Sequence, residues 1–334
     1  MNEPSNLRLA IWAGSKTPVF VSAQQRIPDV TLAAIVDCDG SSDIDTDTWR
    51  SQGVAVQTVD ELLTTPATPF DALLIATEQA EVASLRRAVA LGKHLLLASP
   101  EKWPVAEIEE LQFLGEKRGA RVIVGEPLRH RPSVQAVREA VTSGKLGKIG
   151  LMRLHDWGHA PSVQAASIWE ALRANIDLAC WMFGEKPESM YCASSQPLEV
   201  DEATVGPVGA LQIHLGFRAG GMAILDCDRS LPSAEIYFSL SVLGSTGATY
   251  ADDHHNRQLL LGPAGARGVT SGEGVLPIVS RLRNLFEACA GRATALTTLE
   301  DLRRSGIVLA GAKLSSEGSA AVRLTHPEDH YVLA

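Results

Sequence analysis

Short apolar runs alternate with helix-length stretches along the first third of the chain. Residues 7–13 (LRLAIWA), 30–37 (VTLAAIVD), 71–76 (DALLIA), 94–98 (HLLLA) and 121–125 (RVIVG) are each apolar and of strand length. Such runs suit strands buried on both faces, and their separation by helices predicts a parallel sheet with crossover connections. Helix punctuation agrees with this. Thr17 before Pro18 reads as an N-cap with proline in the first turn, and Thr58 to Glu61 reads as a capping box. Gly92 and Gly119 stand where helices need a left-handed C-terminal cap. The pattern predicts a Rossmann-like, doubly wound dinucleotide-binding domain over residues 1–126.

The pattern changes beyond that point. Val134, Val137 and Val141 recur at helical spacing, and a second helix is expected over 168–183, ending at Gly184. Strand-like segments follow at 209–217, 221–228, 235–243 and 258–261, then two helices at 276–290 and 299–316. Strands flanked by helices predict an α+β domain over 127–334 with an open, mainly antiparallel sheet. The glycine-rich stretch 262–274 reads as a mobile loop.

Composition narrows the choices. A chain of 334 residues suits two domains, and 45% hydrophobic with 21% charged residues is ordinary for a globular protein. No apolar run approaches the roughly 18 residues that span a bilayer. The first residues show no basic segment followed by an apolar one, so a cytoplasmic protein without a signal peptide is expected. The formal charge of −9 argues against nucleic acid as a partner. Five scattered cysteines without C-x-x-C spacing read as buried reduced thiols, not as disulfides or a zinc site.

Several segments together resemble a known family. Residues 71–77 (DALLIAT), 90–97 (ALGKHLLL), 129–132 (RHRP) and 143–149 (SGKLGKI) occur in that order. They are followed by Ile176-Asp177-Leu178 with Trp181 and Gly184, and by residues 298–302 (TLEDL). This series is similar to the Gfo/Idh/MocA family, the glucose–fructose oxidoreductase and inositol dehydrogenase type. The resemblance implies an NAD(P)-dependent oxidoreductase, with the cofactor at the carboxyl edge of the first sheet. It also implies a small polyol, sugar or cyclitol ligand held by the second domain. A homodimer or homotetramer through the C-terminal sheet is implied as well.

The family's motifs are altered at the chemistry-bearing positions. A dinucleotide fingerprint uses three glycines so that the backbone can approach pyrophosphate at a helix N-terminus. In residues 12–17 only Gly14 matches, while Trp12 and Thr17 fill the other two places. Gly14 and Ser15 either still receive a dinucleotide or belong to an ordinary β–α turn. Asp37, at the end of the second strand, is placed to accept bonds from an adenosine ribose, or serves only as a turn residue. With Asp39 nearby it would repel a 2′-phosphate, so NAD is preferred over NADP. Thr77 and Pro100 are the remaining cofactor contacts that the resemblance implies.

The resemblance lays Glu-Lys-Pro over Ala98-Ser99-Pro100, so Ser99 stands where the family has its catalytic lysine. Lys102, three residues on, is a substitute or simply an exposed lysine. Counting back from Asp177 puts Ala174 where the family has its proton-accepting histidine, and Glu170 at the accompanying carboxylate. Glu170 falls one helical turn from Ala174 on the same face, as a replacement base would, or is a solvated helix residue. His155, Asp156 and His159 end a strand leading towards the pocket, as metal ligands, as a further base or simply as polar loop residues. No metal is expected, and 252–255 (DDHH) reads as a polar hairpin. Two readings stay open: a catalytically impaired binding or structural subunit, or an active dehydrogenase with a rearranged acid/base site.

Overall fold

The computed structural model of the chain describes residues 6–14, 17–36, 46–64, 69–77, 80–98, 103–158, 168–195, 209–231, 236–252, 257–262, 265–270, 275–325 and 330–334. These residues form two compact units, 1–131 with 275–299, and 132–274 with 300–334.

In the first unit, six parallel strands are β1 (Leu7–Trp12), β2 (Val30–Val36), β3 (Ala55–Gln57), β4 (Ala72–Ile75), β5 (His94–Leu97) and β6 (Val122–Val124). Their order is β3-β2-β1-β4-β5-β6, the doubly wound arrangement expected from the sequence. The helices between them are α1 (Thr17–Gln24), α2 (Thr46–Ser51), α3 (Val59–Thr64), α4 (Val82–Ala90) and α5 (Val105–Arg118). The expected capping box is present: Thr58 N–H donates to Glu61 at 2.8 Å, and Glu61 N–H donates to the Thr58 hydroxyl at 3.2 Å. Gly119 closes α5 in the left-handed conformation, with φ 68°.

The sequence boundary at residue 126 and the contact boundary differ. The 3-10 turn Pro127–His130 belongs to the first unit, and the chain returns to it as α8 (Leu276–Cys289). The cause is apolar burial. Val279, Leu282, Leu285 and Phe286 of α8 join a core with Leu9, Ile11, Phe20, Leu74 and Leu96, at roughly 1.5–3 kcal/mol per large side chain.

The second unit holds α6 (Pro132–Thr142), β7 (Ile149–Trp157), α7 (Ile168–Phe183), β8 (Pro187–Ser194), β9 (Ala210–Phe217) and β10 (Met222–Asp228). It continues with β11 (Tyr237–Gly244), β12 (Ala248–Asp252), β13 (Arg257–Gly262), β14 (Gly265–Thr270), α9 (Leu299–Gly318), β15 (Val322–Thr325) and β16 (His330–Leu333). Eight strands form one sheet in the order β12-β11-β7-β10-β9-β8-β15-β16. Only β7 and β10 pair in parallel; the rest that are paired run antiparallel. β13 and β14 form a separate hairpin, so part of the glycine-rich stretch expected as a loop is strand.

Alternation along these strands gives the sheet two unlike faces. Met152, Leu154, Leu211, Ile213, Leu215, Ala223, Leu225, Cys227, Phe238, Leu240 and Val242 are buried on the side where α7 packs on β7, β9 and β10. The opposite face carries cross-strand rows. One row runs Tyr250, Ser241, Arg153, Ile224, His214, Tyr191, and the next includes Leu243, Leu151 and Met222. Tyr191, Met222, Leu243 and Tyr250 are exposed there, so the expected open face is present. None of the described helices is long and apolar enough to cross a membrane.

Candidate functional site

The order of the six-stranded sheet reverses between β1 and β4, and ligands of such sheets sit outside the carboxyl ends at that crevice. The two strand ends are closed tightly. Ala76 N–H donates to the Trp12 carbonyl at 3.0 Å, and Ala13 N–H donates to the Val36 carbonyl at 2.9 Å. At Gly14 a Cβ would lie 2.5 Å from the Ala76 carbonyl oxygen and 2.9 Å from Thr77 Cα, so only glycine fits. The Trp12 side chain is buried in the unit's interior.

Thr17 does not cap α1 in the expected sense. Its hydroxyl turns back and accepts the Gly14 N–H at 2.8 Å, while its own N–H donates to the Gly14 carbonyl at 3.0 Å. One backbone donor that a phosphate would use is thereby satisfied within the protein. Thr77 lies beyond the end of β4, at the same edge. Ser15, Asp37, Ser99, Pro100, Lys102 and His159 lie outside the described residues.

In the second unit the candidate residues of the sequence lie near the start of α7 and the end of β7. Glu170 sits in the first turn of α7, half-buried, and Ala174 is half-buried one turn on. The start of this helix meets the end of β10, where Cys227 Sγ lies 4.0 Å from the Ile168 carbonyl. Beside Cys227 in register is Asp156, whose Oδ2 accepts from Arg229 at 2.9 Å. Arg229 also donates to the carbonyls of Asp156 at 2.8 Å and Asp228 at 2.9 Å. Burial opposes the Arg229 charge, but Asp156, Cys227 and Asp228 outweigh it and hold its pKa above the ordinary value. Burial pushes the Cys227 thiol up to about 12, so it is an inert packing group at pH 7. The four described cysteines are free and buried, as the sequence suggested.

His155 is not part of that arrangement. As the neighbour of Asp156 on a strand it points to the opposite face of the sheet. There its ring lies 6.0 Å from Tyr237 and 5.5 Å, edge-on, from Trp157. Asp226 stands across from it in register. Burial raises the Asp226 pKa, against the pull of His155 and the Trp157 indole. Asp156 and Arg229 thus pair on the sheet face that carries α7, whose first turn holds Glu170, and His155 lies on the other face. Among the described residues there is no group of three or more His, Cys, Asp and Glu able to hold a metal.

Some residues of interest gave no motif. Asn175, next to Ala174, is fully buried, and its carboxamide has no hydrogen-bond partner. Arg229 follows two aspartates in a strand, and its only sequence signal is the period-2 pattern that faces it towards α7.

No protein-family model matches the chain. The myo-inositol 2-dehydrogenase of Thermotoga maritima is 24% identical over 198 residues, which is 57% of this chain and 59% of that protein. The match thus spans less than two thirds of that relative's length. The scyllo-inositol dehydrogenase of Lactobacillus casei, solved with NAD(H) and scyllo-inositol, superposes with a TM-score of 0.76 at 17% identity, covering 95% of this chain and 99% of that one. A myo-inositol 2-dehydrogenase from Lactobacillus plantarum gives 0.77 at 17% identity, covering 96% and 99%. The curated relative and the structural neighbours are oxidoreductases of the Gfo/Idh/MocA type, the family whose motifs the sequence resembles.

Proposed function

From that shared fold we propose that the chain is an NAD-dependent dehydrogenase of a cyclitol or related polyol, with Glu170 as its proton acceptor. The observation that carries this reading is the glycine kept beside the crossover between β1 and β4. Gly14 remains where no side chain can be accommodated, although the two flanking glycine positions of the fingerprint are filled. Gly14, Ser15, Thr77 and Pro100 would hold the cofactor, and Asp37 would bind the adenosine ribose and favour NAD over NADP. When bound, NAD supplies the acceptor for the hydride of a secondary alcohol.

The chain's own groups handle the proton and the hydroxyls. Glu170 accepts the hydroxyl proton as the carbon becomes a ketone. Asp156, whose Oδ2 accepts from Arg229, would offer its other oxygen to a neighbouring hydroxyl. A carboxylate one helical turn from the family's base position replaces the imidazole that Ala174 lacks. We further propose that the open face of the eight-stranded sheet is covered by a second copy of the chain, in a homodimer or homotetramer.

A binding-only subunit is the competing reading, favoured by the Thr17 hydroxyl on the Gly14 N–H and by Ala174. Two measurements separate them. Calorimetry with NAD, and absorbance at the NADH band with myo-inositol or scyllo-inositol, should show binding and turnover. Glu170→Gln should keep NAD affinity and lower kcat by about 10²–10⁴. NAD binding without any turnover would favour the subunit, and no binding at millimolar NAD would defeat the dehydrogenase reading.

A further inference from the structure

Arg229, just past the end of β10, ties two strand ends together. Its Nη1 donates to the Asp156 carbonyl of β7 at 2.8 Å and to the Asp228 carbonyl at 2.9 Å, and its Nη2 donates to Asp156 Oδ2 at 2.9 Å. The Asp228 carboxylate is engaged elsewhere, since its Oδ1 accepts the Ser230 N–H at 2.6 Å and the Ser230 hydroxyl. Asp156 faces the same side of the sheet as its register neighbour Cys227, whose Sγ lies 4.0 Å from the Ile168 carbonyl where α7 begins. A guanidinium carries its N–H donors in a planar fork, and each carboxylate oxygen accepts more than one hydrogen bond. The pair is therefore not saturated. Nε–H and one hydrogen of Nη2 find no acceptor among the described residues, and Asp156 Oδ1 finds no donor there. The two side chains keep 19% and 21% of their surface, and none of these unused atoms is sealed from solvent. A donor edge and an acceptor oxygen reach solvent side by side.

Two neighbouring hydroxyls complement a donor beside an acceptor, because each hydroxyl both gives and takes a hydrogen bond. One would donate to Asp156 Oδ1 while the next accepts from Arg229. An anion meets a different situation. The Arg229 charge is already balanced by Asp156, with Asp228 close by, so a carboxylate on the ligand would meet two like charges. We propose that Arg229 and Asp156 form a hydroxyl-reading pair that selects neutral vicinal diols, cyclitols among them, and rejects sugar acids of the same size. A lysine in place of Arg229 would bring the charge, but not the fork that holds two carbonyls, a carboxylate and a ligand at once. The pair stands on its own geometry, while its place in a reaction rests on the dehydrogenase reading.

The test uses the full chain and the variants Asp156→Asn and Arg229→Lys. Ligand-observed NMR titration without NAD compares scyllo-inositol with D-glucuronate, a ring of similar size that bears a carboxylate. The unmodified protein should bind scyllo-inositol about tenfold or more tightly than D-glucuronate. In Asp156→Asn the Arg229 charge loses its counterion. D-glucuronate should then gain and scyllo-inositol lose, shifting their ratio by about a hundredfold. Arg229→Lys should weaken scyllo-inositol about tenfold without improving D-glucuronate, and it carries the comparison should Asp156→Asn fail to fold. A brace with no part in binding would change thermal stability in both variants but leave the ratio alone. A ratio unchanged within about threefold overturns the proposal, and so does an unmodified chain that fails to bind scyllo-inositol at tens of millimolar. Steady-state kinetics with NAD reads the reaction separately: Arg229→Lys should raise KM for scyllo-inositol about tenfold and hold KM for NAD within about threefold. Binding that follows this pattern in a chain that never reduces NAD would sink the dehydrogenase reading and leave the pair standing.

Discussion

Replacing His130 with phenylalanine should make the first unit less sensitive to acid. The imidazole is 0% exposed and has no hydrogen-bond partner on either nitrogen. Burial, then the charges of Arg281 and Arg129, lower its pKa from 6.5 to about 3. The sign follows from linkage. Above pH 6.5 the ring is neutral whether the unit is folded or not, and it does not change stability with pH. Between pH 6.5 and 3 the unfolded chain takes up a proton that the folded one refuses, so stability is lost as the pH falls. At about 1.36 kcal/mol per pKa unit the loss is negligible at pH 7.5 and about 2 kcal/mol at pH 5. Phenylalanine has a similar shape and no nitrogen to desolvate, so His130→Phe should also gain about 1–3 kcal/mol at neutral pH. A chain of two units need not unfold in one step, so the assay should follow the first unit alone. Exchange of the β1 peptide along a urea series at pH 7.5 and pH 5.0 does that. Other groups that titrate in this range contribute equally to both proteins and cancel in the comparison. Identical losses in wild type and His130→Phe, to within about 0.5 kcal/mol, would show that the imidazole is not the buried neutral group described.

Thr17→Gly should free the Gly14 N–H for a phosphate: calorimetry should show tighter NAD binding, while α1 loses about 1 kcal/mol from the missing hydrogen bond. Asp156→Asn should leave the largely buried Arg229 charge without its carboxylate and lower stability by about 1–3 kcal/mol in thermal unfolding, more than an equivalent change at the exposed Arg86–Glu110 pair. Met222→Asp with Leu243→Asp places charge in the apolar row of the open sheet face. Sedimentation velocity should then show a smaller species than the unmodified protein, and a wild-type monomer at micromolar concentration would refute the covered-face proposal.

The parts of the fold legible in the sequence are those where burial repeats at a fixed period. β1, β2, β4, β5 and β6 are continuous apolar runs, and α7 falls on residues 168–183 as the pattern predicts. β3 (AVQ), β15 (VRLT) and β16 (HYVL) mix polar with apolar residues where β4, β5 and β6 are apolar runs, and they gain their place from strand pairing. α8 was legible as a helix but not as a member of the first unit, because that membership is a packing choice made by Val279, Leu282 and Phe286. The site shows the same division. Gly14 was visible as a surviving motif residue, yet the reason it must be glycine is the Ala76 carbonyl, which local sequence does not contain. His155 and Asp156 looked like one constellation as adjacent letters. In a strand, adjacency means opposite faces, and the pairing of Asp156 with Arg229, 73 residues away, replaced it.

The buried polar groups without partners point the same way as the motifs. An unpaired polar side chain in an interior lowers stability by about 1–3 kcal/mol, and an apolar residue of the same shape avoids that loss. His130 stands beside Arg281 at the carboxyl end of β5, and Asn175 stands on α7 next to Ala174 and one turn from Glu170. The core under α8 and the inner face of the eight-stranded sheet are mainly apolar, while Arg129, Arg173, Asp177 and Asp301 are buried elsewhere. His130 and Asn175 are thus polar groups at which an apolar residue would be less costly, and Asn175 adjoins Ala174, where the family that the sequence resembles has its histidine. In the dehydrogenase reading proposed above that neighbourhood has a use, because Glu170, one turn from Ala174, would take the proton that a histidine takes in the family the sequence resembles.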